Sequence, residues 1–132
     1  MKKQSASAKT SNLNGVAAPR TLAIDIGGTG IKALTLDPQG KPINDRQKIA
    51  TPKRATPKAV IRIIEKLAAA RPGFERVSAG FPGVVKDGIV YTAANLGKGW
   101  TGFDLGKALA RKLNHQVDLA NFVYRLSIRI LG

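Results

Sequence analysis

Residues 24–32 read Ile-Asp-Ile-Gly-Gly-Thr-Gly-Ile-Lys: an aliphatic strand carrying one carboxylate breaks into a glycine turn, followed by a hydroxyl and an ammonium. That assortment suits phosphate chemistry. Strand side chains alternate between faces, so Asp25 points away from Ile24 and Ile26 near the strand's C-terminal end, where it can reach a hydrated Mg²⁺. Gly27, Gly28 and Gly30 let the backbone turn tightly and bring N–H groups against phosphate oxygens. Thr29 adds a hydroxyl and Lys32 a point charge. Taken alone, the glycines also fit a plain hairpin turn beside a solvated lysine. The string has neither the G-x-x-x-x-G-K-[ST] spacing of a P-loop nor the G-x-G-x-x-G spacing that opens a dinucleotide-binding helix.

The elements that must position these groups are readable from periodicity. Thr21 to Ile26, Ile31 to Leu36 and Ile43 to Ala50 read as three strands, the first two joined by the glycine turn and the next two by Asp37-Pro38-Gln39-Gly40. Thr56-Pro57 starts a helix whose apolar stripe is Val60, Ile61, Ile63, Ile64 and Leu67, with Lys58, Arg62 and Lys66 on another face. That helix stops near Ala70, before Arg71-Pro72-Gly73, and Val77 to Phe81 reads as the next strand. The succession is βββαβ. Val84-Val85 and Ile89-Val90-Tyr91 flank Lys86-Asp87-Gly88 as a hairpin. Thr101 with Asp104 reads as a capping box opening a helix that buries Leu105, Ala108, Leu109 and Leu113, and a last strand starts at Val117.

Composition narrows the function classes. At 132 residues the chain is one small domain with a single core. It has no cysteine and one histidine, His115, which excludes a disulfide framework and a Cys/His zinc site. His115 reads as a surface loop residue. No apolar run reaches the ~18 residues of a membrane span. The first twenty residues are basic and rich in Ser, Ala and Asn, without a secretory signal; they read as a disordered leader on a cytoplasmic protein. The net charge is +14, and between Lys41 and Arg76 ten basic residues face three acids. Such a field attracts polyanions, and Lys48, Lys53, Arg54, Lys58, Arg62 and Lys66 are its candidate guides. A solvated basic surface is the competing reading of the same residues.

The string D-x-G-G-T-x-x-K from Asp25 to Lys32 resembles the first phosphate motif of actin-like sugar kinases, in particular the ROK family of repressors, open reading frames and kinases. The likeness continues through Ala79-Gly80-Phe81-Pro82-Gly83-Val84-Val85, the Thr92-Ala93-Ala94-Asn95 run, and Lys98-Gly99-Trp100. Within the family these motifs are most similar to polyphosphate glucokinases, and they cover roughly Arg20 to Asn121. The resemblance implies an α/β fold of the ribonuclease H-like, actin-like type, with residues 21–121 as an N-terminal lobe. It also implies phosphoryl transfer from polyphosphate or ATP to glucose, giving glucose 6-phosphate, with Mg²⁺ as cofactor and homodimers among full-length members. By the same resemblance Asp25, Gly27, Gly28, Thr29, Gly30 and Lys32 hold phosphate and, through Asp25, magnesium. Gly80, Pro82 and Gly83 shape the floor of the sugar pocket, and Asn95 and Asn121 contact the sugar.

Asn95 suits that role chemically, because an amide both donates and accepts as a sugar hydroxyl requires; an ordinary Asx turn would use the same residue. Lys98 either touches polyphosphate or faces solvent. Trp100 is either a stacking wall for the sugar or a core anchor, the commoner role of a lone tryptophan. In the family an aspartate after the residue equivalent to Asn121 is the general base, and here that position is Phe122. No acid follows up to Gly132, and Asp118 falls on the opposite face of the strand from Asn121. The tail 122–132 therefore reads as a replacement of the family's continuation by truncation or frameshift, leaving a lobe without turnover. The second class is a non-enzymatic basic protein that binds polyanions or, nonspecifically, nucleic acid, as a ROK-type repressor would. The leader lacks the apolar periodicity of a winged helix-turn-helix. Polyphosphate against ATP, and glucose against mannose, stay open.

Overall fold

The computed structural model describes residues 12–13, 16–17, 19–93 and 95–121. Within the stretch expected to be a disordered leader, β1 (Asn12–Leu13) and β2 (Val16–Ala17) pair as a short antiparallel ladder. The tail from Phe122 onward lies outside the described residues. β3 (Thr21–Ile26), β4 (Gly30–Leu36) and β5 (Gln47–Ala50) form an antiparallel meander, with Asp25 opposite Lys32 and Lys32 opposite Lys48. α1 (Pro57–Ala69) returns the chain to β6 (Arg76–Phe81), which runs parallel to β3 with Asp25 beside Gly80. The hairpin of β7 (Val85–Lys86) and β8 (Ile89–Val90) leads to α2 (Leu105–Leu113) and then to β9 (Val117–Asn121), parallel to β6. The central sheet has the order β5-β4-β3-β6-β9.

Two of the expected boundaries shift by more than one residue, each for a local reason. The third strand begins at Gln47 rather than Ile43. The Asn44 side-chain oxygen accepts the Thr35 N–H at 2.9 Å, so a side chain stands where a backbone acceptor would continue the ladder. Residue Asp104, not Thr101, caps α2: its carboxylate accepts the Lys107 N–H at 3.0 Å. A capping box needs a Glu or Gln at the third helical position to reach back, whereas the short Asp side chain is suited to being the cap itself. α1 starts as its sequence dictates, with Thr56 Oγ1 accepting from the Ala59 N–H at 3.3 Å and Pro57 in the first turn.

Both helices lie on one face of the sheet. Val60, Ile61, Ile64 and Leu67 of α1, and Leu105, Leu109 and Leu113 of α2, join Leu22, Ile24, Ile26, Ile31, Val77, Ala79 and Phe81 in one core. Ala108 and Ile63, expected inside, are half-buried at its margin. Trp100 is 2 % exposed, donates its Nε1–H to the Ala55 carbonyl at 2.7 Å, and packs on Phe81 and Phe103 with ring centroids at 4.9 and 6.0 Å. It is a core anchor. Its carbonyl partner fixes the segment that enters α1 against the segment that enters α2. On the opposite face Ala23, Leu34 and Leu36 form a smaller cluster. No helix among the described residues is long and apolar enough to cross a membrane.

Candidate functional site

Asp25 is the penultimate residue of β3, and strand alternation places it opposite the core-facing Ile24 and Ile26. It is buried all the same, at 4 % exposure. Its Oδ2 lies 3.9 Å from Lys32 Nζ, while Oδ1 is buried with no hydrogen-bond partner among the described residues. Burial lifts the carboxyl above the 3.8 of an unperturbed aspartate, and the charges of Lys32 and Arg46 pull the other way. A buried acceptor without a donor is the kind of oxygen that Mg²⁺, or a water bound to it, satisfies. The described residues contain no group of three or more His, Cys, Asp or Glu able to hold a metal. They fit a cation held by one carboxylate, waters and the phosphates of a bound ligand.

Beyond Asp25 the chain turns at Gly27 to Thr29, closed by the Gly27 N–H donating to the Gly30 carbonyl at 3.0 Å. This turn is clamped from β5's end. Thr51 donates its hydroxyl to the Gly27 carbonyl at 2.6 Å and its N–H to the Thr29 carbonyl at 3.2 Å. With these carbonyls engaged from one side, Gly28 and Thr29 remain exposed at the tip of the turn. Lys48 lays its aliphatic stem across Gly30. Thr51 is a member of the site that the motifs did not reveal.

The residues expected to face a sugar arrive from two other segments. Gly80 ends beside Asp25 in the sheet, and the chain then turns through Pro82 to Gly83, whose N–H donates to the Phe81 carbonyl at 3.0 Å. A Cβ at Gly83 would overlap the Thr92 carbonyl oxygen, so this turn is moulded against the segment leading to Asn95. The Thr92 hydroxyl also accepts the Val84 N–H at 3.0 Å. Asn95 itself is exposed and left-handed, with φ +62°. It sits on the glycine turn: a Cβ at Gly28 would fall 3.1 Å from Asn95 Cβ and 3.3 Å from its carbonyl oxygen. Any side chain at position 28 would push the two segments apart.

One end of the sheet thus gathers Asp25, Gly27, Gly28, Thr29, Gly30, Lys32, Gly80, Pro82, Gly83 and Asn95, at the C-terminal ends of the parallel strands β3 and β6. Asn121 closes β9 in register with Phe81, at the same end. Lys98 is exposed a few residues past Asn95, and Lys58, Arg62 and Lys66 are exposed along α1. Lys66 lies in the last turn of that helix, about 12 Å of helix rise beyond Lys58. His115 is tied to its own turn, Nδ1 lying 2.6 Å from the Leu113 carbonyl, with its ring 4.7 Å from that of Phe74. It is remote from the site.

A mixed sheet with this connectivity, and a glycine turn after its first long strand, defines the N-terminal lobe of an actin-like sugar kinase. Residues 21–126 match the model of the ROK family. The chain belongs to the ROK family. It is 39 % identical over 98 residues to polyphosphate glucokinase of Mycobacterium leprae, covering 74 % of this chain and 30 % of that protein. Its fold superimposes on the inorganic polyphosphate/ATP-glucomannokinase of Arthrobacter sp. strain KM with a TM-score of 0.69 and 36 % identity, covering 79 % of this chain and 44 % of that one. A ROK family glucokinase from Streptomyces griseus, solved in complex with glucose and AMPPNP, gives a TM-score of 0.65 and 28 % identity over 77 % of this chain and 33 % of that one. The chain spans about a third of the length of the curated relatives it matches.

Proposed function

We propose that this chain is the phosphate- and glucose-binding lobe of a glucokinase that takes its phosphoryl group from polyphosphate or ATP, and that its 132 residues bind without turning over. The observation that carries the reading is the seat of Asn95 on Gly28, which puts a bifunctional amide beside the turn suited to phosphate. In phosphoryl transfer the protein's task is mostly to position donor and acceptor and to stabilise charge. Thr29 and the turn's N–H groups would hold the donor's terminal phosphates, Lys32 would neutralise them, and Thr51 would keep the turn in shape. Asn95, with Asn121, would orient the sugar. Asp25 would hold Mg²⁺, which when bound supplies neutralisation of the donor's phosphate charge. The acceptor hydroxyl must also lose a proton, and Phe122, at the position where the family resemblance expects an aspartate, cannot take it. Nothing observed favours a nucleic-acid role.

The test is calorimetric binding of Mg²⁺-tripolyphosphate and of glucose, alongside an assay of glucose 6-phosphate formation. Lys32→Ala should weaken tripolyphosphate at least tenfold and spare glucose; Asn95→Ala should do the reverse. Sustained turnover by the unaltered chain would contradict the assignment of Phe122. Absence of binding by either ligand would contradict the site.

A further inference from the structure

A polyphosphate donor is a long chain, of which the glycine turn can hold only the reacting end; the remainder must lie along the protein or trail into solvent. From Gly28 the contacts lead in one direction. Asn95 sits on Gly28, the Gly97 N–H donates to the Ala55 carbonyl at 3.2 Å, Gly99 lies against the Pro57 ring, and the Phe103 N–H donates to the Trp100 carbonyl at 2.9 Å. This segment runs from the phosphate turn, past exposed Lys98, to the first turn of α1. There a groove of about 300 Å³ opens between α1 and α2.

The groove has an apolar floor and a basic rim. Its floor is Ile61, Phe103 and Ala108, and its rim carries Lys58 and Arg62 from α1 and Arg111 and Lys112 from α2, against the single acid Glu65. All four cations are exposed, and none forms an ion pair among the described residues. A cleft lined by one sign of charge over low-dielectric walls focuses its field, which raises the local concentration of a counter-charged ligand. Phe103 is the single aromatic residue lining the groove, and one ring gives no succession of faces for consecutive bases of a single-stranded nucleic acid to stack on.

We infer that the α1–α2 groove is a secondary site for the trailing phosphates of long-chain polyphosphate, reached from the glycine turn by way of Lys98. This rests on the phosphate-donor reading above and specifies which donor it favours. A nucleoside triphosphate or tripolyphosphate would fill the turn alone, whereas a chain of tens of phosphates would occupy both places and gain affinity through the raised effective concentration of its second segment.

The experiment compares labelled long-chain polyphosphate with tripolyphosphate, both at low and moderate salt, on the full chain and two variants. Arg62→Glu/Arg111→Glu reverses charge at two exposed groove positions, and circular dichroism confirms that it keeps its fold. It should lose tenfold or more in long-chain affinity, with a shallower salt dependence, and bind tripolyphosphate unchanged. Equal long-chain binding by parent and double variant, or an equal fall for both ligands, would overturn the groove. An oligonucleotide of matched charge bound more tightly than polyphosphate through the same two arginines would overturn it in favour of nucleic acid. Lys32→Ala serves as the separate check: if it leaves tripolyphosphate binding intact the turn has been misread, a result the double variant alone cannot produce.

Discussion

The two faces of β3 are buried to nearly the same degree and serve opposite ends. On one, Leu22, Ile24 and Ile26 disappear beneath α1 and α2, where apolar neighbours surround them. On the other, Asp25 is 4 % exposed, beside one lysine 3.9 Å away, with an oxygen no described donor satisfies. The first arrangement is what burial alone would select. The second works against stability, since a desolvated carboxylate costs free energy unless it is fully paired. One face of the strand therefore holds the sheet together, while the other carries a destabilising carboxylate, as the proposed ligand site requires.

The comparison breaks hardest on the helix-covered face. Trp100→Ala removes two ring contacts and the hydrogen bond to Ala55, and should cost about 3–5 kcal/mol by chemical denaturation, enough to unfold a small domain. Next comes Gly83→Ala at the site's border. Its methyl would overlap the Thr92 carbonyl, so stability should fall by about 1–3 kcal/mol and glucose binding should fall with it as the Asn95 segment shifts. Thr51→Val keeps the shape and deletes the hydroxyl that clamps Gly27. A loss of about 1 kcal/mol in stability, with weaker tripolyphosphate binding, is expected in the same titrations.

The smallest effect has the opposite sign. Because burial raises the Asp25 pKa in the folded state, the folded form holds this proton more tightly than the unfolded chain does. The group's contribution to stability is thus fully present below 3.8 and is lost as pH rises through the raised value. Asp25→Asn should accordingly raise the melting temperature slightly near pH 7, with the gain shrinking as pH approaches 3.8, while abolishing Mg²⁺-dependent tripolyphosphate binding. Thermal scans across this range check it. A melting temperature that falls at pH 7 would mean that the Lys32 and Arg46 attractions outweigh the desolvation.

Much of the fold was legible because its signals are local. Thr56-Pro57 and the stripe of Val60, Ile61, Ile64 and Leu67 specify α1 within a dozen residues, and the alternation around Asp25 sets which face it takes. The Asp25-to-Lys32 string and Asn95 could be named, but their juxtaposition could not, because the seat of Asn95 on Gly28 depends on folding segments far apart in sequence. Thr51 was invisible for the same reason: it acts on Gly27, 24 residues earlier, and a threonine before a proline carries no motif. Arg46 and Asn44 act likewise through the third dimension, one on the charge of Asp25 and the other on the start of β5. At α2, two capping residues lay close together in Thr101 and Asp104, and only side-chain reach decided between them.

In the function proposed above, the glycine turn and Asn95 form one site for two ligands. Backbone ¹⁵N–¹H spectra of the full chain, titrated with Mg²⁺-tripolyphosphate and then with glucose, test it most directly. Tripolyphosphate should move the amides of Gly28, Thr29 and Thr51, and glucose those of Asn95 and Gly28. Shifts scattered over the lysines and arginines of α1 and α2, with the Gly28 and Asn95 amides unmoved by either ligand, would contradict it.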